Sequence, residues 1–157
     1  FDLSILKKVD EINSKQPKII SEIILNEFKR KKVRNCLFLG ITFKENTDDI
    51  RNSTSIDLVN FIAKKKLNIF IYDPIFSKEK FLKNKSLFNK RITYLKKINY
   101  NSKFDSLIIN NNSIEFKKIV KFYNNKFKSL IFDSRRIYEK EKFKNYSGSG
   151  LKSFVEN

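Results

Sequence analysis

The chain of 157 residues has no histidine, no tryptophan and no methionine, and it carries one cysteine, three glycines and two prolines. Each shortage excludes some chemistry. Without histidine there is no Ser-His or Cys-His nucleophile pair and no imidazole base. With one cysteine besides, zinc has no ligand set. Cys36 cannot form an internal disulfide. It lies in the apolar run 36–39, where it reads as a small core residue, and a reducing, cytoplasmic compartment is the expectation. No apolar stretch approaches the ~18 residues of a membrane span, and a basic-plus-apolar leader is not expected. The chain opens on Phe1, so a piece of a longer polypeptide is expected, with a processed product as the alternative.

Positive charge is abundant: 34 Lys and Arg stand against 17 Asp and Glu, a formal net charge of +17. Such a field favours anionic ligands. The lysines are nonetheless spread over 7–8, 29–32, 64–66, 78–85, 117–128 and 140–144, with no single block. Lys, Asn, Ile and Phe dominate while alanine occurs once, at Ala63. That is the bias expected when an A- and T-rich genome drives codon choice, so lysine serves as the default surface residue. A nucleic-acid function is therefore not the leading reading, and the lack of interleaved aromatic platforms weighs against RNA.

Hydrophobic periodicity organises the chain. Ile5, Leu6, Val9 and Ile12, then Ile19, Ile20, Ile23, Ile24 and Phe28, fall at helical spacing over 4–32. Pro17 makes this either a kinked helix or two helices. The continuous apolar run 36–41 reads as a strand buried on both faces. A helix over about 53–66 follows, with Ser53 or Thr54 as N-cap. Strands over 68–74, 91–95, 106–110 and 129–133 alternate with helices over 77–89 and 114–124. Residues 134–157 read as irregular or edge structure. The alternation predicts an α/β fold: a Rossmann-like parallel sheet with helices on both faces, preceded by a long N-terminal connector helix. Ligands of such sheets bind outside the carboxyl ends of the strands. On that rim fall Gly40 to Lys44, Asp73-Pro74, Asn110 to Asn112, and Asp133 to Arg136.

The stretch GITFKENTDDIRNS, 40–53, stands where a dinucleotide-binding turn would sit, but Gly40 is its one glycine. A tight backbone cradle for pyrophosphate is not expected. Lys44 as a point charge and Arg51 as a bidentate fork either bind phosphate oxygens or neutralise Glu45, Asp48 and Asp49. Asp48-Asp49 read as turn-capping or ion-pairing residues rather than as an acid–base pair. Asp133 with Arg135-Arg136 suits either a diphosphate or a surface ion pair. The residues alone describe an anion- or nucleotide-binding α/β domain without a nucleophile or base.

The segment FLGITFKENTDDIRNSTSIDLVNFIAKKKLNIFIYDP resembles the C-terminal domain of the UDP-glucose/GDP-mannose dehydrogenase family. The matching residues are Gly40, Phe43, Lys44, Thr47, Asp48, Asp49, Arg51, Ser53, Tyr72, Asp73 and Pro74. FDSRRIY (132–138) is similar to the family's F-D-x-R segment, and VDEINSKQPKII (9–20) to its N-x-x-Q-P stretch. NNSIEF (111–116) departs from the family's T-E-W-x-E-F by keeping Glu115 and Phe116 but not the Trp.

The resemblance implies an NAD-dependent enzyme that oxidises the C6 hydroxyl of a nucleotide sugar to a carboxylate in two steps. It implies that 1–32 ends a central helical region and that 33–157 is the UDP-sugar-binding domain. Phe43, Lys44 and Arg135 would contact the UDP-sugar, Arg135 across subunits, and Arg51 would reach NAD. The NAD-binding and central helical domains and the catalytic residues would lie upstream, so no catalytic residue is expected here. Homo-oligomerisation through the central helix is also implied. UDP-glucose is the leading substrate; a UDP-acetamido sugar, GDP-mannose or a stand-alone nucleotide-binding module are the alternatives.

Overall fold

The computed structural model describes residues 3–42, 47–51, 53–84, 87, 89–138, 143 and 145–148. Among the described residues, four helices, α1 (Ser4–Arg30), α2 (Thr54–Ala63), α3 (Lys78–Lys83) and α4 (Ile114–Phe127), accompany six strands. The strands are β1 (Asn35–Leu39), β2 (Asn68–Tyr72), β3 (Ile92–Tyr94), β4 (Ser106–Ile109), β5 (Leu130–Asp133) and β6 (Tyr146–Gly148). All pair in parallel, in the order β3-β2-β1-β4-β5-β6. The chain steps outward from β1 to β3, then returns to the other side of β1 and steps outward again. Strand order reverses between β1 and β4, which is the topological switch point of a doubly wound sheet. Residues 146–148, read from sequence as irregular or edge structure, form the edge strand β6.

Alternation along the central strands builds two cores. Cys36, Phe38, Ile69, Ile71, Ile108 and Phe132 face one side, where Ile24 and Phe28 of α1 and Val59 and Ile62 of α2 meet them. Leu37, Leu39, Leu107, Ile109 and Ile131 face the other, against Phe116, Ile119, Val120 and Tyr123 of α4. β1 and β4 are apolar on both faces because helices cover both, as the continuous runs require. Cys36 lies wholly inside, and burial pushes its thiol pKa well up, which makes it a core residue and not a nucleophile. Among the described residues, no helix is long and apolar enough to cross a membrane.

The region 4–32 is one helix with Pro17 inside it, not two. Its buried residues, Pro17, Ser21, Ile24 and Phe28, recur every three or four positions and pack the second half against α2. Residues 3–16 are exposed throughout, with Ile5, Leu6 and Ile12 each more than half accessible.

Helix ends are held without glycine. Lys32, Lys66 and Lys128, each between a helix and the following strand, take left-handed φ angles of 54°, 61° and 55°. All three turns lie at the end of the sheet where the strands begin.

Candidate functional site

At the switch point the two central strands diverge into Gly40-Ile41-Thr42 and Asn110-Asn111. The parallel ladder runs one step past each strand: Gly40 N–H donates to Tyr72 O at 2.9 Å, and Asn110 N–H to Leu39 O at 3.0 Å. Gly40 sits at φ +84°, and a Cβ placed on it would lie 2.1 Å from Asn111 Oδ1. Glycine is needed here for both backbone and space. Asn111 in turn donates from Nδ2 to Thr42 Oγ1 at 2.9 Å, bridging the crevice.

Asp73, at the end of β2, organises the rest. Its Oδ2 accepts from Ile41 N–H (2.9 Å), Thr42 N–H (3.3 Å) and Thr42 Oγ1 (3.2 Å). Its Oδ1 accepts from Ile75 N–H (3.1 Å) and Phe76 N–H (3.3 Å). A buried carboxylate saturated in this way shapes two turns and has little left for a ligand. Ser53 occupies the N-cap position of α2, but its hydroxyl donates back to Ile41 O at 2.7 Å and so ties the helix start to the end of β1. Asp133 does for β5 what Asp73 does for β2, accepting from Arg135 N–H (3.1 Å), Tyr138 N–H (2.8 Å) and the Tyr146 hydroxyl (3.2 Å). Both rim aspartates are therefore structural.

Two buried polar atoms in this floor, Asn110 Nδ2 and Asn111 Oδ1, find no hydrogen-bond partner among the described residues. Asn110 Oδ1 is occupied, accepting from the Ser134 hydroxyl at 3.0 Å. A buried orphan donor and acceptor at a switch point are what a polar ligand would satisfy. The cavity between Thr42, Asp73, Asn111 and Ser113 is only about 20 Å³, room for about one water, so a ligand rests on this floor rather than entering it.

Of the residues expected to bind ligand, Phe43 and Lys44 lie outside the described residues; the preceding Thr42 is anchored by Asp73 at the crevice mouth. Arg135 is exposed at the end of β5, one strand from the crevice, and forms no ion pair among the described residues. Arg51 forks onto Asp49, with Nε at 3.0 Å from Oδ1 and Nη2 at 2.8 Å from Oδ2. This hydrogen-bonded pair holds the Asp49 carboxyl down at about 2. Asp48 pairs with Lys80. The two adjacent aspartates thus form ion pairs in a turn, as their spacing suggested. Arg51 is nevertheless 86% exposed, and a surface pair of this kind yields readily to a stronger phosphate partner.

A hollow of about 600 Å³ lies beside the crevice, lined by Asp48, Asp49, Arg51, Lys80 and Lys83 among others. Its cations are already matched, Lys83 by Glu79 at 2.6 Å. The switch point does not fit the pyrophosphate of a dinucleotide, because the Asn111 side chain fills the space over Gly40 that a glycine cradle would leave open.

Sequence reasoning placed Asn110 to Asn112 on the rim without a role for any of them. It also missed the Tyr72 hydroxyl, which donates to Glu115 Oε2 at 2.6 Å across the crevice side of α4. Burial and that carboxylate raise the Tyr72 pKa. The available signal was Glu115 itself, recognisable only through the family pattern.

These features define a doubly wound α/β domain with a polar floor at its switch point and exposed arginines beside it. Residues 37–140 match the model of the UDP-glucose/GDP-mannose dehydrogenase family, UDP binding domain, and the chain belongs to this family. It is 30% identical over 121 residues to a UDP-glucose 6-dehydrogenase of Rickettsia felis, covering 76% of this chain and 26% of that protein. It is 28% identical over 72 residues to a UDP-N-acetyl-D-mannosamine dehydrogenase of Methanococcus aeolicus, covering 45% of this chain and 16% of that protein. A UDP-glucose dehydrogenase structure from Pyrobaculum islandicum shares the fold at TM-score 0.71 and 18% identity, over 94% of this chain and 32% of that one. The chain thus spans about a quarter to a third of the length of these longer matches.

Proposed function

We propose that this chain is the C-terminal substrate-nucleotide domain, residues 33–157, of an NAD-dependent UDP-sugar 6-dehydrogenase, with residues 1–32 ending a central helical region. The observation that carries the reading is the family match over 37–140, which spans the switch-point floor and every proposed contact. UDP-glucose, oxidised at C6 to the carboxylate, is the preferred substrate, supported by the relative at 30% identity; a UDP-acetamido sugar is the second reading, supported by the mannosamine relative.

In this reading Lys44 and Arg135 supply charge to the diphosphate, Arg135 from a neighbouring subunit, and Phe43 packs against the sugar nucleotide. The orphaned Asn110 Nδ2 and Asn111 Oδ1 complement polar groups resting on the floor. Dehydrogenases of this family use NAD, which would supply the hydride acceptor. The filled crevice at Gly40 supports an NAD cradle in another domain, and Arg51 would leave Asp49 to reach a cofactor phosphate. The catalytic groups also belong to that missing part, in a cytoplasmic enzyme. The exposed stripe of Ile5, Leu6, Val9 and Ile12 on α1 supports association of subunits through this helix.

Titration calorimetry tests the site. UDP is expected to bind the 157-residue chain weakly, since half the cleft is contributed elsewhere, and Lys44→Ala and Arg135→Ala are expected to weaken it further. A folded sample that gives no UDP heat at millimolar concentration, or that is indifferent to both substitutions, refutes the assignment. In the full-length enzyme Arg51→Ala should raise KM for NAD more than for the UDP-sugar.

A further inference from the structure

The opposite end of the sheet, where the strands begin, holds a cavity that the rim reading does not use. It measures about 530 Å³, within the range of small-molecule sites. Three segments converge on it: the last turn of α1, the lead into β1, and the turn between α2 and β2. Leu25, Phe28, Val33 and Leu67 form an apolar floor, and Lys29, Lys32, Arg34 and Lys65 surround it.

The charges are unbalanced. No acid lines the cavity, and none of the four cations forms an ion pair among the described residues. α1 and α2 both end here, and each helix C-terminus contributes roughly −0.5 of a charge, so about −1 opposes four formal positive charges. An excess near +3 remains, more than helix-end compensation requires. Asp105 also reaches this end, but its Oδ2 is occupied by Arg34 N–H and Asn35 N–H, both at 3.0 Å. Another hollow is lined by lysines, Lys118, Lys121 and Lys126, but these all come from the single helix α4. Here four cationic heads from three segments stand around the cavity, with half-buried Leu25 and Leu67 offering apolar contact.

We propose that this cavity binds an organic polyphosphate, its phosphates among Lys29, Lys32, Arg34 and Lys65 and its ring-bearing body against Leu25 and Leu67. The site lies at the other end of the sheet from the proposed UDP crevice and does not depend on that assignment. ATP serves as probe for the whole ligand and inorganic tripolyphosphate for its charge alone, followed through backbone amide NMR shifts of the 157-residue chain.

ATP is expected to shift amides of 25–34 and 64–68. Lys29→Ala with Lys65→Ala should weaken it roughly tenfold, while Lys7→Ala with Lys8→Ala on the exposed first half of α1 should change it by under about twofold. Leu67→Ser should weaken ATP and leave tripolyphosphate unaffected. The proposal is overturned if shifts are absent at millimolar ATP, are confined to 40–42 and 110–113, or spread over all lysine-bearing surfaces. Equal weakening by the two lysine pairs, which an unrelated RNA would share, also overturns it.

Discussion

Gly40→Ala probes the floor of the crevice most directly. A side chain at φ +84° carries a left-handed cost of about 1–2 kcal/mol. The added Cβ would lie 2.1 Å from Asn111 Oδ1 and 2.3 Å from Asn111 Cγ, so the amide must move. Its displacement gives up the 2.9 Å bond to Thr42 Oγ1, about 1 kcal/mol, and crowding adds to this if the buried side chain cannot swing clear. The sum is about 2–4 kcal/mol, a large part of the ~5–15 kcal/mol that holds a domain folded. Urea denaturation followed by circular dichroism should show a lower midpoint with an unchanged slope. In an Asn111→Ala background the same substitution should cost only the backbone part, giving a coupling of at least ~1 kcal/mol between the two sites. A single-mutant loss below ~1 kcal/mol, or a coupling below ~0.5 kcal/mol, refutes the packing described here.

Asp73→Asn turns one acceptor oxygen into a donor facing backbone N–H groups; a loss of about 2–4 kcal/mol in urea unfolding is expected, and a loss within experimental error would show that the two turns hold themselves. Carbon NMR of Asp49 should give a midpoint of about 2 rather than the ordinary 3.8, so the pair with Arg51 is formed above pH 3.8 and lost as pH falls towards 2. Arg51→Ala should return the midpoint towards 3.8, and a midpoint that stays low without Arg51 assigns the wrong cause. Lys66→Gly and Lys128→Gly relieve left-handed strain of about 1–2 kcal/mol against a smaller gain in unfolded-chain entropy, so each should stabilise by about 0.5–1 kcal/mol and raise Tm. A lower Tm in both would show that these lysines make contacts outweighing their strain.

The sheet was legible because its signal is local. Leu37 to Leu39 and Leu107 to Ile109 are continuous apolar runs, and only strands covered on both faces need them. α3 was anticipated over 77–89 but ends at Lys83, where Asn84 turns to an extended backbone with its N–H bonded back to Phe81 O, and Leu87 beyond it is buried in the core without continuing the helix. Of Ser53 and Thr54, both offered as N-cap of α2, Ser53 takes the position, yet its hydroxyl is drawn to Ile41 O, a partner set by the strand rather than the helix. Asn111 was illegible for a deeper reason. Its role depends on Gly40, 71 positions earlier, and a run of three asparagines in an asparagine-rich chain looks like composition. The αL lysines were likewise hidden, because a sequence reader looks for glycine at such turns.

Pro17 has a consequence beyond the shape of α1. Secondary structure crosses it without a break, but its ring removes the N–H that would bind the Asn13 carbonyl, and burial begins at this residue. The turns before it are a helix of about a dozen residues with no core contacts, a length at which isolated helices are marginal in water. One geometric helix is therefore two cooperative units. Amide exchange should step sharply at Pro17, with the preceding arm fast and the Ile24–Phe28 turn as slow as the sheet. The order of that arm then registers whatever docks on it, while the folded state of the nucleotide-binding body stays the same.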